Sequence, residues 1–204
     1  HPMPRVAFGP PLQLGIRSRC EFADLYLNES MEPELIQAFL DSALPPTLSV
    51  HSVEVLPVRG DSIQSQIVAH RFTATWLVRP QGVVAEALDG ADLVERISQL
   101  TVERQVKVRK RRKRRREAPQ VKTLSLGDSV SDVERIAPTP ERPFGGLSFI
   151  LHTPAGSASV RPYEVIAAVS GCGVSECDLV KEESFFQVEE DLSQNPCTTE
   201  PSYA

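Results

Sequence analysis

Nine of the ten residues from Lys107 to Arg116, the stretch KVRKRRKRRR, are lysine or arginine. A packed core cannot take them, because buried cations need partners and the run contains no acid. The chain must carry this segment outward and return its flanking apolar residues to a common core. Residues 104–116 hold 10 of the 22 basic residues and no acidic one, which leaves 12 basic against 27 acidic residues elsewhere, a net charge of -15. An acidic body of that kind repels polyanions beyond a Debye length, ~8 Å at physiological salt. Any nucleic acid is therefore expected to be met by the arm itself.

Periodicity organises the rest. "RVAF" and "CEFADLYL" read as strands. A helix follows, with Ser30 as its expected cap, Pro33 in its first turn, and Leu35, Ile36, Phe39, Leu40 and Ala43 as one apolar stripe. "LSVHSVEVL" alternates as a further strand, so residues 1–60 read strand, strand, helix, strand. After a short possible helix, "SIQSQIVA", the strand "RFTATWLV" places Phe72, Ala74, Trp76 and Val78 on one face. A helix near 91–100 shows Leu93, Val94, Ile97 and Leu100. Val102, Val106 and Val108 then share a strand face, and "VKTLSL" returns antiparallel, making the basic run a hairpin tip. "LSFILH", the helix "RPYEVIAAVSG" with Pro162 at its start and Gly171 at its end, and a strand within "CDLVKEESFFQV" complete the order. The expectation is an α+β chain of two tandem ferredoxin-like units, the first truncated, with antiparallel sheets carrying helices on one face. The first unit takes residues 1–60 and the second 61–188 with a basic hairpin arm at 104–120. Residues 189–204 read as a flexible tail.

Catalytic and metal motifs are sparse. The four cysteines, Cys20, Cys172, Cys177 and Cys197, have neither zinc-knuckle nor disulfide-framework spacing. The closely spaced cysteine triplet that holds a radical-SAM iron–sulfur cluster is missing, as are P-loop, dinucleotide-binding and nucleophile-elbow motifs. His51, His70 and His152 sit in apparent strands, where a satisfied imidazole is the default reading. Glu21 and Asp24 fall on opposite strand faces and make a poor carboxylate pair. "FGPPLQLG" reads first as a stiff bend between two strands. No apolar stretch is long enough for a membrane helix, and the expected compartment is the cytoplasm.

The opening stretch resembles the radical-SAM-linked domain family, a bacterial domain of unknown function found beside or fused after a B12-binding radical-SAM protein. The residues that carry the resemblance are Pro2, Pro4, Phe8, Pro11, Leu12, Leu14, Gly15, Ser18 and Glu21. "LPPTLSVHSVEVLP" and "RPYEVIAAVSG" follow at similar spacing, so the likeness spans residues 1–188. The family's Asn-Pro-His-Pro reads His1-Pro2-Met3-Pro4 here. Its leading strand and helix are lacking, and the chain reads as part of something longer. The resemblance implies a radical-SAM enzyme, fused or separate, as partner. Iron–sulfur cluster, S-adenosylmethionine and B12 then belong to that partner or to a missing region, and no cofactor is expected in this chain.

The arm is expected to meet RNA backbone through Arg104, Lys107, Arg109, Lys110, Arg111, Arg112, Lys113, Arg114, Arg115 and Arg116. It contains no aromatic residue, so base stacking is not encoded in it. The leading functional expectation is a non-catalytic module that binds RNA, or delivers an RNA-containing substrate, for a partner radical-SAM enzyme. Side-by-side ferredoxin-like units are also the pattern of pseudouridine synthases, which agrees with an RNA-handling role. Two alternatives stand beside it. One is a protein-docking module whose arm binds an acidic surface; the other is the C-terminal remnant of an RNA-modifying enzyme whose catalytic residues lie elsewhere.

Overall fold

The computed structural model describes residues 5–56, 61–87, 89–106, 120–153 and 159–187. It is an α+β structure that divides into two compact units. His1–Gly9 and Phe22–Ser65 make the first; Pro10–Glu21 and Gln66–Ala204 make the second. The tandem arrangement expected from the sequence placed the first boundary at residue 60 and did not foresee that Pro10–Glu21 joins the second unit.

In the first unit, β1 (Arg5–Phe8) and β3 (Ala23–Tyr26) form an antiparallel pair, with Arg5 opposite Tyr26 and Phe8 opposite Ala23. Helix α1 (Pro33–Ala43) starts with Pro33 in its first turn and Glu34 at the positive end of its dipole. Its cap is Glu32 and not Ser30, and the cap makes no side-chain hydrogen bond. No residue of α1 is buried. The expected strand at 48–56 does not form either. Val50 donates its N–H to Asp41 Oδ1 and accepts at its carbonyl from Gln37 Nε2, both at 2.8 Å. Two side chains of α1 thus satisfy the backbone groups that a ladder would have used.

The second unit is built on a five-stranded sheet. Its order is β2 (Arg17–Ser18), β9 (Cys177–Phe186), β4 (Ile67–Trp76), β8 (Gly146–His152) and β7 (Val130–Ile136). Among the described residues of this sheet only the β2–β9 pair is parallel. Helix α2 (Ile63–Gln66) runs directly into β4, which accounts for the mixed pattern of "SIQSQIVA". Helices α3 (Gly82–Glu86), α4 (Gly90–Ser98) and α5 (Pro162–Ser170) supply Val84, Leu93, Ile97, Val165, Ile166 and Val169 to the core. These meet Phe72, Ala74, Trp76, Leu147, Phe149 and Leu179 from one face of the sheet. Two residues expected on the apolar faces, Val78 and Val94, are exposed instead. Val78 lies beyond the end of β4, and Val94 points off the buried stripe that Leu93 and Ile97 define.

Helix α5 has the ends read from its sequence. Pro162 occupies the first turn, and Gly171 closes the helix in the left-handed region (φ 68°), donating to the Ala167 carbonyl. The strands β5 (Thr101–Val106) and β6 (Gln120–Ser125) pair antiparallel as a separate ribbon, from Thr101 opposite Ser125 to Val106 opposite Gln120. Val102 and Leu124 pack their partly buried side chains against the core. Strand β7 and helix α3 were not foreseen: "VSDVERI" alternates only weakly, and α3 is barely more than one turn.

Candidate functional site

The buried face of the sheet changes character toward one end of β4. At the Trp76 end it is apolar, but further along the ladder Phe72 lies opposite Lys181, and His70 opposite Ser184. A register shift between Arg71 and Phe72 places one extra residue, Glu182, in β9. That bulge turns Ser184 onto the same face as Lys181 although the two are three residues apart. Ser184 Oγ lies 2.9 Å from His70 Nδ1.

Both polar side chains are withdrawn from solvent: His70 is 6% exposed and the Lys181 side chain 3%. Burial, with the nearby charge of Lys181, pushes the His70 imidazole down to about 4, so it is neutral at physiological pH. Lys181 Nζ is held by Glu21 Oε1 at 2.6 Å, and Glu21 is half exposed. A buried ammonium with a single carboxylate keeps unused donor capacity, since it carries three N–H groups.

These residues floor a cleft of about 560 Å³, the size of a small-ligand site. Phe72 and Leu151 contribute its apolar floor, and Thr153, Ser159, Val160, Arg161 and Pro162 one rim. Pro10, Pro11, Leu12, Gln13 and Leu14 form the opposite wall. Among the described residues Gln13 Oε1 is buried without a hydrogen-bond donor, an unusual and costly condition for an amide oxygen.

The wall is positioned by the residues around it. Gly15 has φ 91°, in the region that favours glycine, and a Cβ there would come within 3.2 Å of the Tyr163 hydroxyl. That hydroxyl donates to the Gly15 carbonyl at 3.0 Å. Ser18 Oγ bonds both the carbonyl and the N–H of Cys20, tightening the turn that leads to Glu21. Of the expected motif residues, then, Pro11 and Leu12 line the cleft, Gly15 and Ser18 shape it, and Glu21 neutralises Lys181. Phe8 sits exposed in β1 of the first unit, and Pro2 and Pro4 lie outside the described residues.

The basic run from Lys107 through Arg109, Lys110, Arg111, Arg112, Lys113, Arg114 and Arg115 to Arg116 also lies outside the described residues. Its point of attachment is described. Val106 and Gln120, which flank it in sequence, are partners at the end of the β5–β6 ladder. Arg104 is differently engaged: its guanidinium bonds both carboxylate oxygens of Glu164 and the Ser159 carbonyl. Burial pushes the Glu164 carboxyl up, but the bonds from Arg104 and from the Arg161 N–H outweigh it and hold it below the ordinary range. Arg104 therefore latches the base of the ribbon to the cleft rim.

The remaining candidates carry no cluster. His152 Nε2 lies 2.7 Å from Ser131 Oγ, and His51 is in no strand. Cys20, Cys172 and Cys177 are buried, and burial pushes the Cys177 thiol up to about 11. Cys197 lies outside the described residues. Among the described residues no group of three or more His, Cys, Asp or Glu could hold a metal ion, and no helix is long and apolar enough to cross a membrane.

The sequence reading missed Lys181, His70 and Gln13 as a set. One signal was available: in "CDLVKEESFF", Lys181 keeps the parity of Cys177 and Leu179 and so falls on the buried face. A model of uncharacterised proteins conserved in bacteria (DUF2344) matches residues 1–138. The chain belongs to this family. The matched span includes the cleft wall, Glu21, His70 and the basic run, while Lys181 and helix α5 follow it. No curated protein and no solved structure matches the chain.

Proposed function

We propose that this chain is a non-catalytic RNA-holding module, serving a radical-SAM enzyme encoded with it or fused to it. The observation that carries the reading is the run of nine basic residues that the sequence places between Val106 and Gln120, the last partners of the β5–β6 ladder. Nine cations on so short a segment repel one another unless a polyanion or solvent neutralises them. Phosphate backbone answers that requirement. The acidic remainder of the chain confines the attraction to the arm.

Three further features support the reading. The order β9-β4-β8-β7, with α4 and α5 in the crossovers, supports reading the second unit as ferredoxin-like with the β5–β6 ribbon inserted. Units of that pattern also build pseudouridine synthases, and this likeness of pattern alone suits RNA handling. The resemblance carried by Pro2, Pro4, Phe8, Pro11, Leu12, Leu14, Gly15, Ser18 and Glu21 to the radical-SAM-linked family supports an enzyme partner, which would hold the iron–sulfur cluster, S-adenosylmethionine and B12 in the cytoplasm. Arg104 has no place in the grip, because Glu164 and Ser159 occupy its guanidinium.

An anisotropy titration against single-stranded RNA over a salt series tests this. With five phosphate contacts, log K falls against log salt with a slope of about -3.5, at roughly 0.7 per contact. Changing Arg111, Arg112, Lys113, Arg114, Arg115 and Arg116 to Ser flattens the slope and weakens binding equally across unrelated sequences. Equal slopes and affinities for the two proteins would refute the grip. Loss of binding to the radical-SAM enzyme alone would establish docking to an acidic protein surface instead.

A further inference from the structure

The arm can hold a strand without reading it, since phosphate contacts position and carry no sequence. The cleft lies beside the arm's root. Arg104 is two residues from the ladder's last pair, and its bond to the Ser159 carbonyl joins that strand to the cleft rim. Arg161, exposed on the same rim, offers a guanidinium to a phosphate passing the mouth.

Inside, one acceptor and one donor can serve a ligand. Gln13 Oε1 is a buried acceptor with no donor among the described residues. Lys181 is a buried donor whose one ion-pair partner among the described residues is Glu21. A ligand that satisfies both must present an N–H and an oxygen acceptor. Around these groups the surfaces are apolar and partly flat: Phe72, Leu151, Val160, Pro10 and Pro11. The volume of about 560 Å³ admits a planar heterocycle.

We propose that the cleft is a base pocket, which receives one unstacked base of the RNA held by the arm and selects a base whose edge carries an N–H beside a carbonyl. Uracil and guanine have that edge. Adenine has no carbonyl, and in cytosine the ring nitrogen beside the carbonyl carries no hydrogen. In the pocket, Gln13 turns its Oε1 to accept the base N–H and the Lys181 ammonium donates to the base carbonyl, while Phe72 and the two prolines exclude water from both bonds. Glu21 pairs with the ammonium at 2.6 Å, and His70, neutral and tied to Ser184, adds no competing cation. This assignment rests on the RNA reading of the arm, and it adds what the arm lacks, a means of telling bases apart.

The experiment uses the full chain and short oligonucleotides of abasic sugar-phosphate carrying a single U, G, A or C, titrated by anisotropy over a salt series. U and G should bind about tenfold more tightly than A, C or the wholly abasic strand, as expected for one well-placed pair of base contacts. The Gln13→Leu variant should lose that difference and keep the salt slope, whereas the arm variant should lose affinity for every strand and keep the difference. Thermal melts of both variants check that they remain folded. Equal affinity for all strands with an intact slope would overturn the pocket and leave the arm standing, as would a preference for A or C, or a Gln13→Leu protein that still discriminates. Failure of every strand to bind would overturn the arm. The pocket is then decided alone by titrating uridine monophosphate against the ring resonances of His70 and Phe72: shifts that Gln13→Leu abolishes support it, and unchanged spectra overturn it.

Discussion

Phe149 and Phe39 are the same side chain in opposite circumstances. Phe149, in β8 of the second unit, is fully buried and stacks on Phe72 with ring centroids 5.7 Å apart. Phe39, in α1 of the first unit, is 64% exposed. Each belongs to a correctly read apolar pattern, one of period two and one of period 3.6. The pattern fixed the type of element in both cases, but only in the second unit do other layers cover the stripe. Periodicity reports which face could be buried; it does not report what is available to bury it.

The largest expected effect lies on the buried side of this comparison. Phe149→Ala should cost about 3–5 kcal/mol, because it opens a cavity between sheet and helices that Phe72 and Leu147 cannot fill without leaving their rotamers. Urea denaturation measures it. A loss under about 1 kcal/mol would mean that the second unit is no better packed than the first.

Next in size is a pH effect confined to the polar end of the same core. His70 titrates at about 4 when folded and near its ordinary 6.5 when unfolded. Between those values the unfolded chain binds a proton that the folded one refuses, so stability is full above about 6.5 and is lost as pH falls toward 4. The loss approaches roughly 3 kcal/mol at the lower limit. Lys181 and Glu21 face the ring, and Lys181 acts in the same direction as burial. Other groups, Glu164 among them, also lose their bonds in acid, so the diagnostic quantity is the difference from a His70→Gln protein. The variant's stability should decline less between pH 7 and 4. Parallel curves would show that His70 charges freely and that the cleft floor is wetter than its burial indicates.

These two residues also mark how far the sequence could be read. Helix α5, its Pro162 start, its Gly171 end and the β5–β6 return were legible, because each depends on local chemistry: a fixed φ, a left-handed cap, an alternating strand. The site was legible only in part. "GPPLQLG" stood out, but its partner Lys181 comes more than 160 residues later, and its contact with Glu21 depends on β2 adding parallel to β9. A two-residue strand leaves no periodic signal. Ser184 reaches His70 only through the bulge at Glu182, which shifts parity within the run Lys181-Glu182-Glu183, where no residue type marks a bulge. The failed strand at 48–56 has a similar cause. Its alternation is genuine, but Asp41 and Gln37 supplied the Val50 backbone with partners before any strand did.

A smaller effect probes the counter-ion. Glu21→Gln leaves the Lys181 ammonium at its depth with a neutral partner that can still accept a hydrogen bond. Removing one member of a buried pair costs about 3–5 kcal/mol, but Glu21 is half exposed, so solvent takes up part of the lost attraction and about 1–2 kcal/mol is expected. Thermal melts of the two proteins at neutral pH give the value. No change would place Lys181 in contact with water and remove the reason for a carboxylate at the end of the motif.

The smallest effect returns to the exposed phenylalanine and is the sharpest test of the comparison. In Phe39→Ala, little apolar area is re-exposed, because most of the ring already meets solvent. Against that small loss stands a gain in helix propensity, since alanine keeps no rotamer entropy to lose and phenylalanine ranks lower in a helix interior, by up to about 0.7 kcal/mol. The two terms nearly cancel, and the net change should fall within about 0.5 kcal/mol of zero. Replacement by Ser instead removes the same ring without the full propensity gain and should fall slightly below Ala. If Phe39→Ala destabilised the chain by as much as Phe149→Ala, α1 would be covered in solution by a surface that the exposed face of this helix does not meet, and the contrast between the two phenylalanines would collapse.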